Sequence, residues 1–270
     1  MQFDLVINPT DLDPAAVVEA ARVAEDAGFD GVWTYDHLSG KVFDGTSTAE
    51  LWTTLGAIGA ATSRVMVGPL VANATIRHPA VLANAAATLQ GITNGRAMLG
   101  IGAGAGAESP FADELTMLAM ESRSAPDRRE ILTEAIAVIR HLWSGGGDLH
   151  GRCFSLQKAT GFIRPQTPPT IIVGANGPKM AALAGREGDG INLHSYEETL
   201  DQLIATARDA ANGRKLSITV HAPLADEWLD HDHRNRQRLE SLAVDRLILA
   251  WTSDLGTSEI LRAGRAMHIR

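Results

Sequence analysis

The sequence predicts a (β/α)8 TIM barrel, an α/β fold occupying residues 1–270 as one domain. Three observations lead to it. Short apolar runs of strand type alternate with longer helical patterns along the whole chain. The alternation occurs eight times, and near-continuous apolar strands imply a parallel sheet buried on both faces. The length of 270 residues also matches the ~250 that one barrel of this kind takes. A doubly wound open sheet is the competing arrangement.

The strands, in order, are FDLVIN (3–8), GVWTYD (31–36), RVMVGPLVA (64–72), RAMLGIGAG (96–104), TIIVGA (170–175), GINLH (190–194), LSITVHA (216–222) and DRLILAW (245–251). Helical patterns fall between them. Residues 14–28 open with Pro14, which suits a first helical turn, and stop at Gly28. Residues 79–92 and 125–143 repeat the same apolar period. Residues 195–213 place Ser195, Glu197 and Glu198 where a helix N-terminus favours acceptors and negative charge, and end at Gly213. Two inserts interrupt the rhythm. Residues 105–124 enlarge the loop after strand 4, on the rim where barrels carry function, and are expected to cover a ligand. A Gly- and Pro-rich excursion at 144–169 precedes strand 5 and reads as a hairpin bracing the barrel's side.

A net charge of −8 argues against general binding to nucleic acid or to an anionic membrane surface, but not against a small anion held by local positive potential. One cysteine, Cys153, excludes an intramolecular disulfide and a thiolate zinc cluster. No apolar run reaches membrane-spanning length, and the N-terminal segment lacks the basic start of a signal peptide. A cytoplasmic location follows as an expectation. The expected partner is a small-molecule substrate, with a second copy of the chain as the only protein partner considered.

Barrel active sites lie at the C-terminal strand ends. That rule selects Asn8, Asp36, His37, Val71, Asn73, Gly102 to Gly106, Gly174 to Pro178, His194, His221 and Trp251. Histidines with an aspartate raise the question of a metal, yet no H-x-H or H-E-x-x-H spacing occurs, and none is expected. GIGAGAGA (100–107) carries almost no side chains, so it is either a flexible turn or a flat wall for a planar ligand. In IIVGANGPKMAALAGREGDGINL (171–193), an apolar strand stops at Gly-Ala-Asn-Gly-Pro and a helix follows. Such a stop is either an ordinary turn or a cluster of backbone N–H groups that attracts an anion.

Four stretches together resemble the luciferase-like superfamily of flavin- and deazaflavin-dependent oxidoreductases: 24–38, 67–104, 141–156 and 168–192. The strand-two Asp-His, GPLVANATIRHP and GANGPK are similar to the branch that uses coenzyme F420, a deazaflavin. The resemblance implies that Asp36 and His37 lie near the deazaflavin ring and that Leu70–Val71 is a non-prolyl cis peptide behind it. Ala103 and Gly104 would contact the ring or its side chain, as would Asn73, while Ala175, Asn176, Gly177 and Pro178 would cradle the phosphate. His37 would be the catalytic group, since imidazole exchanges a proton near neutral pH. One departure bears on the substrate. Sugar-phosphate dehydrogenases of this branch carry a glutamate directly after the strand-four glycines, whereas this chain has Ala105, with Glu108 the nearest acid.

The implied activity is hydride transfer between F420 and an organic substrate. Alternatives are an FMN-dependent monooxygenase of the same superfamily and a non-catalytic F420- or flavin-binding protein. An aldolase or isomerase on this fold would usually need a barrel lysine or paired inward acids, and no predicted strand ends in lysine.

Overall fold

The computed structural model describes residues 1–267. The chain runs β1 (Gln2–Ile7), α1 (Pro14–Asp26), β2 (Gly31–Thr34), α2 (Leu51–Ala61), β3 (Met66–Pro69), β4 (Ala72–Asn73), α3 (Pro79–Ile92) and β5 (Met98–Gly102). It continues through α4 (Asp113–Met117), α5 (Ala125–Ser144), β6 (Gly147–His150), β7 (Ser155–Ala159), β8 (Thr170–Gly174), α6 (Pro178–Glu187), β9 (Gly190–His194) and α7 (Leu200–Ala210). The last elements are β10 (Ser217–Pro223), α8 (Asp226–Leu229), α9 (Arg234–Ser241), β11 (Arg246–Trp251) and α10 (Thr257–Met267).

Nine strands make one sheet in the order β3-β2-β1-β11-β10-β9-β8-β5-β4, every pair parallel. A parallel bridge from Val67 to Ala97 brings the far edge back to β3, while β4 pairs with β5. Strands β3 and β4 are therefore two halves of one barrel stave, parted at Leu70–Val71. The expected eight-stave α/β barrel is present, and the excursion before β8 folds as the antiparallel β6–β7 hairpin.

One expected helix starts later than the sequence suggests. Ser195 N–H donates to His221 O at 2.8 Å and Glu197 N–H to His194 O at 3.2 Å, so the backbone leaving β9 is committed to a sheet contact and a turn. Helix α7 therefore opens at Leu200, and Ser195, Glu197 and Glu198 do not occupy its first turn.

The outer core packs strand residues such as Leu5, Ile7, Val32 and Leu247 against the helices. The barrel interior holds a second cluster of Val6, Trp33, Leu70, Met98, Ile172 and Ile248. Beneath it, toward the N-terminal strand ends, Asp4 accepts hydrogen bonds from Trp33 Nε1 at 2.8 Å and Arg246 Nη1 at 2.6 Å. Burial pushes the Asp4 carboxyl up and the Arg246 guanidinium pulls against that. Gly31 pairs with Asp4 across the sheet, and a Cβ there would sit 2.7 Å from the carboxylate, so only glycine leaves room. These groups brace one end and free the other for a site.

Candidate active site

A cavity of about 520 Å³ opens at the C-terminal strand ends. Asp36, His37, Leu70, Val71, Asn73, Ala103, Gly104, Ala175 and Asn176 line it. Gly177 and Pro178 do not line it but stand directly behind, where α6 begins. Asn8 and Trp251 are outside the lining; Asn8 Oδ1 caps Thr10 N–H at 3.1 Å and Trp251 Nε1 donates to Gly256 O at 2.9 Å.

The turn into α6 uses a conformation that glycine alone adopts readily. Gly177 has φ 91° and ψ 170°, Pro178 fills the first helical position, and no side chain caps the end. The first-turn N–H groups of Lys179 and Met180 have no acceptor within the helix. Asn176 and Met180, on either side, both face the cavity. A helix end built this way favours an anion, and beyond the adjoining backbone a Gly177 Cβ would point into open space.

The glycine-rich wall has a different cause from the one its composition suggests. A Cβ at Gly100 would lie 2.0 Å from Pro69 O, and one at Gly102 would lie 2.7 Å from Val71 Cγ2. Gly174 would approach the same methyl at 3.2 Å. These glycines admit the neighbouring stave, where the Leu70–Val71 peptide is cis. Gly102 to Gly106 all line the cavity; Gly104 has φ 70° and its Cβ position lies 2.7 Å from Asn73 Oδ1.

Tyr35, Asp36 and His37 follow the end of β2, and all three line the cavity. Asp36 is buried. Its Oδ2 accepts from Asn73 N–H at 2.8 Å and Arg77 Nη1 at 2.5 Å, while its Oδ1 has no partner. His37 Nδ1 meets Glu114 Oε2 at 3.2 Å, and Glu114 Oε1 accepts from Leu38 and Ser39 N–H at 2.7 and 2.9 Å. Burial alone would raise the Glu114 carboxyl, but the bonds from His37, Ser39 and Leu38 outweigh it and hold it below its usual value. An ionised carboxylate only accepts, so in the neutral imidazole the His37 proton sits on Nδ1 and the lone pair on Nε2. Phe43 packs edge-on against the imidazole at 5.0 Å and Phe111 at 5.3 Å.

The insert thus places Glu114, and not Glu108, beside His37. Nothing in the sequence pairs positions 77 residues apart, and this residue was not legible there. Phe43, Phe111, Arg128 and Arg129 also line the cavity and carry no motif. Tyr35 also lines the cavity, one residue before the Asp36 and His37 that the strand-end rule selected.

Tyr35 Oη lies 2.9 Å from His221 Nε2, and His221 Nδ1 lies 3.0 Å from His194 Nδ1. Burial, then the neighbouring His194, push His221 down to about 4, and burial lowers His194 against a weaker pull from Glu197. Burial pushes the Tyr35 phenol well up. A histidine lowered from 6.5 to about 4 on folding binds its proton more readily in the unfolded chain between those values. Its contribution to stability is therefore lost as pH falls through that window. Urea unfolding at stepped pH is expected to show this loss, reduced in His221→Gln; identical slopes in both proteins would refute it.

The family description "Luciferase-like monooxygenase" matches residues 3–243, and the chain belongs to that family. It is 36% identical over 192 residues to an F420-dependent glucose-6-phosphate dehydrogenase of Microbacterium testaceum, covering 70% of this chain and 55% of that one. It is 35% identical over 223 residues to the protein of the same name from Nakamurella multipartita, covering 80% and 64%. The chain therefore spans 55–64% of the length of these relatives. In fold it resembles an F420-dependent secondary alcohol dehydrogenase, solved with an F420-acetone adduct, at TM-score 0.83 and 21% identity over 99% of both chains.

Proposed function

We propose that the protein binds coenzyme F420 and transfers a hydride between it and an organic substrate. The observation that carries this reading is that two unlike features meet at one cavity, the turn into the uncapped α6, through Asn176 and Met180, and the His37–Glu114 pair. The names of the relatives support the choice of cofactor. The donor set fits the group. Ala175, Asn176, Gly177 and Pro178, with the N–H groups of α6, suit its phosphate. Ala103, Gly104, Leu70, Val71 and Asn73 offer a wall for a flat ring, and the unpartnered Asp36 Oδ1 offers an acceptor to a ring N–H or hydroxyl.

The deazaflavin, when bound, supplies two-electron hydride chemistry. His37 Nε2 takes the substrate's proton during oxidation or returns it during reduction, and the Glu114 carboxylate stabilises the imidazolium formed. Phe43 and Phe111 fix the ring and keep water from it. The relatives' names point to glucose 6-phosphate as a substrate. Among the described residues, however, only Arg128 and Arg129 bring positive charge to the lining, both on α5.

F420 is expected to bind at least about tenfold more tightly than FMN, a difference of ~1.4 kcal/mol that a few ring and tail contacts supply. Titration of the purified protein with each cofactor tests it. Equal affinities, or tighter FMN, would favour a flavin monooxygenase; tight F420 without turnover on any alcohol, ketone or imine would favour a binding protein.

Gly177→Ala probes the cradle. The backbone angles there are of the glycine-only kind, so alanine costs on the order of 1–3 kcal/mol of fold strain. The expected result is a loss of F420 affinity beyond about tenfold in the folded fraction, because a Cβ intrudes where a phosphate would meet the α6 N–H groups. If the thermal midpoint falls while the folded fraction binds normally, Gly177 is a turn residue and nothing more.

A further inference from the structure

One set of polar groups in the cavity is not used by the chemistry assigned to His37. Tyr35 follows β2, His221 lies in β10 and His194 ends β9. In the sheet β2 and β10 are separated by β1 and β11, so the hydrogen-bonded chain spans part of the barrel mouth. All three side chains line the cavity. Tyr35 also stacks on Phe43 at 5.5 Å, which fixes where its hydroxyl points.

We propose that Tyr35, with His221 and His194 behind it, donates a hydrogen bond to an oxygen of the substrate, and that the cavity thereby selects an uncharged alcohol or ketone over a phosphorylated one. This rests on the reading of the cavity as a hydride-transfer site. Both ring nitrogens of His221 are engaged, and neutral imidazole has one proton to place. If that proton is on Nδ1, it goes to His194, and Tyr35 must donate to His221 Nε2. If it is on Nε2, it goes to the Tyr35 oxygen, His194 donates from its own Nδ1, and the tyrosine O–H is free to point into the cavity. A ketone oxygen only accepts, so it selects the second arrangement. An alcohol oxygen fits the same donor and leaves its own O–H for His37.

Neither arrangement carries a charge. The low value of His221 shows that burial resists adding one. A phosphate monoester placed against this wall would lose its hydration and meet neutral donors in return. The Arg128 guanidinium sits about Gly106 after β5 and donates to Arg123 O, and among the described residues neither it nor Arg129 hydrogen-bonds Tyr35, His221 or His194.

The test uses F420-loaded protein with cyclohexanone and cyclohexyl phosphate as matched probes, and ¹⁵N-histidine spectra to read the tautomers. Cyclohexanone is expected to bind about tenfold or more tightly than the phosphate ester, with His221 as the Nε2–H form and His194 as the Nδ1–H form. Tyr35→Phe is expected to weaken cyclohexanone binding about tenfold while F420 affinity, measured separately, stays within about twofold. Three results each overturn the proposal: a phosphate ester that binds as well as the ketone, ketone affinity unchanged in Tyr35→Phe, or His221 in the Nδ1–H form with ketone bound. Failure of the unmodified protein to bind F420 at all would overturn the hydride-transfer reading, and this proposal with it.

Discussion

His37→Ala is expected to lower turnover about 10²–10⁴-fold, the usual contribution of a positioned acid or base, while F420 affinity stays within severalfold. The geometry separates the two quantities. Glu114 holds Nδ1, and Phe43 and Phe111 pack against the ring, so Nε2 is the atom left for the proposed chemistry. Alanine removes that atom and leaves the α6 cradle untouched. Glu114→Gln is expected to give a smaller loss with a shifted pH profile, because an amide can receive the Nδ1 proton but offers no charge to the imidazolium. If His37 only packs against the cofactor ring, the pattern reverses, with weaker F420 binding and near-normal turnover at saturation. Measuring the dissociation constant and turnover on one variant decides between them.

The second large effect concerns the fold. Asp4→Ala is expected to cost about 3–5 kcal/mol, the usual penalty for leaving one partner of a buried ion pair alone. Arg246 is 10% exposed and Asp4 fully buried, and no other carboxylate pairs with this guanidinium among the described residues. The Trp33 indole N–H loses its acceptor in the same change. Urea unfolding measures the loss. F420 affinity per folded molecule should stay unchanged, since the network lies at the end of the barrel away from the cavity. A loss below about 1 kcal/mol would mean that water reaches Arg246 and the pair contributes little.

The barrel was legible because its signals are local. An apolar run of five or six residues, a glycine stop and a proline at a helix start each act within a few positions, and together they fixed seven staves within about two residues per end. The eighth, RVMVGPLVA, reads as continuous from its residues alone; the family resemblance pointed to Leu70–Val71, and there the backbone is broken by a cis peptide. His194 and His221 were legible as rim residues but not as a pair, since register across β9 and β10 decides that they face each other. Gly100 and Gly102 were visible as missing side chains, yet what fills their space comes from another stave. Glu114 was invisible for a stronger reason. Its partner is reached by the path of a loop, which no period or spacing encodes.

Glu114 belongs to the insert between β5 and α5, and the strand ladder that closes the barrel does not include it. On the proposed function, the residue that tunes His37 is then not one of those that close the barrel. A lineage can lengthen, shorten or replace residues 105–124, and so change the tuning of His37, without disturbing a single sheet hydrogen bond. Chemistry is then free to diverge among descendants of this chain faster than the staves that carry it.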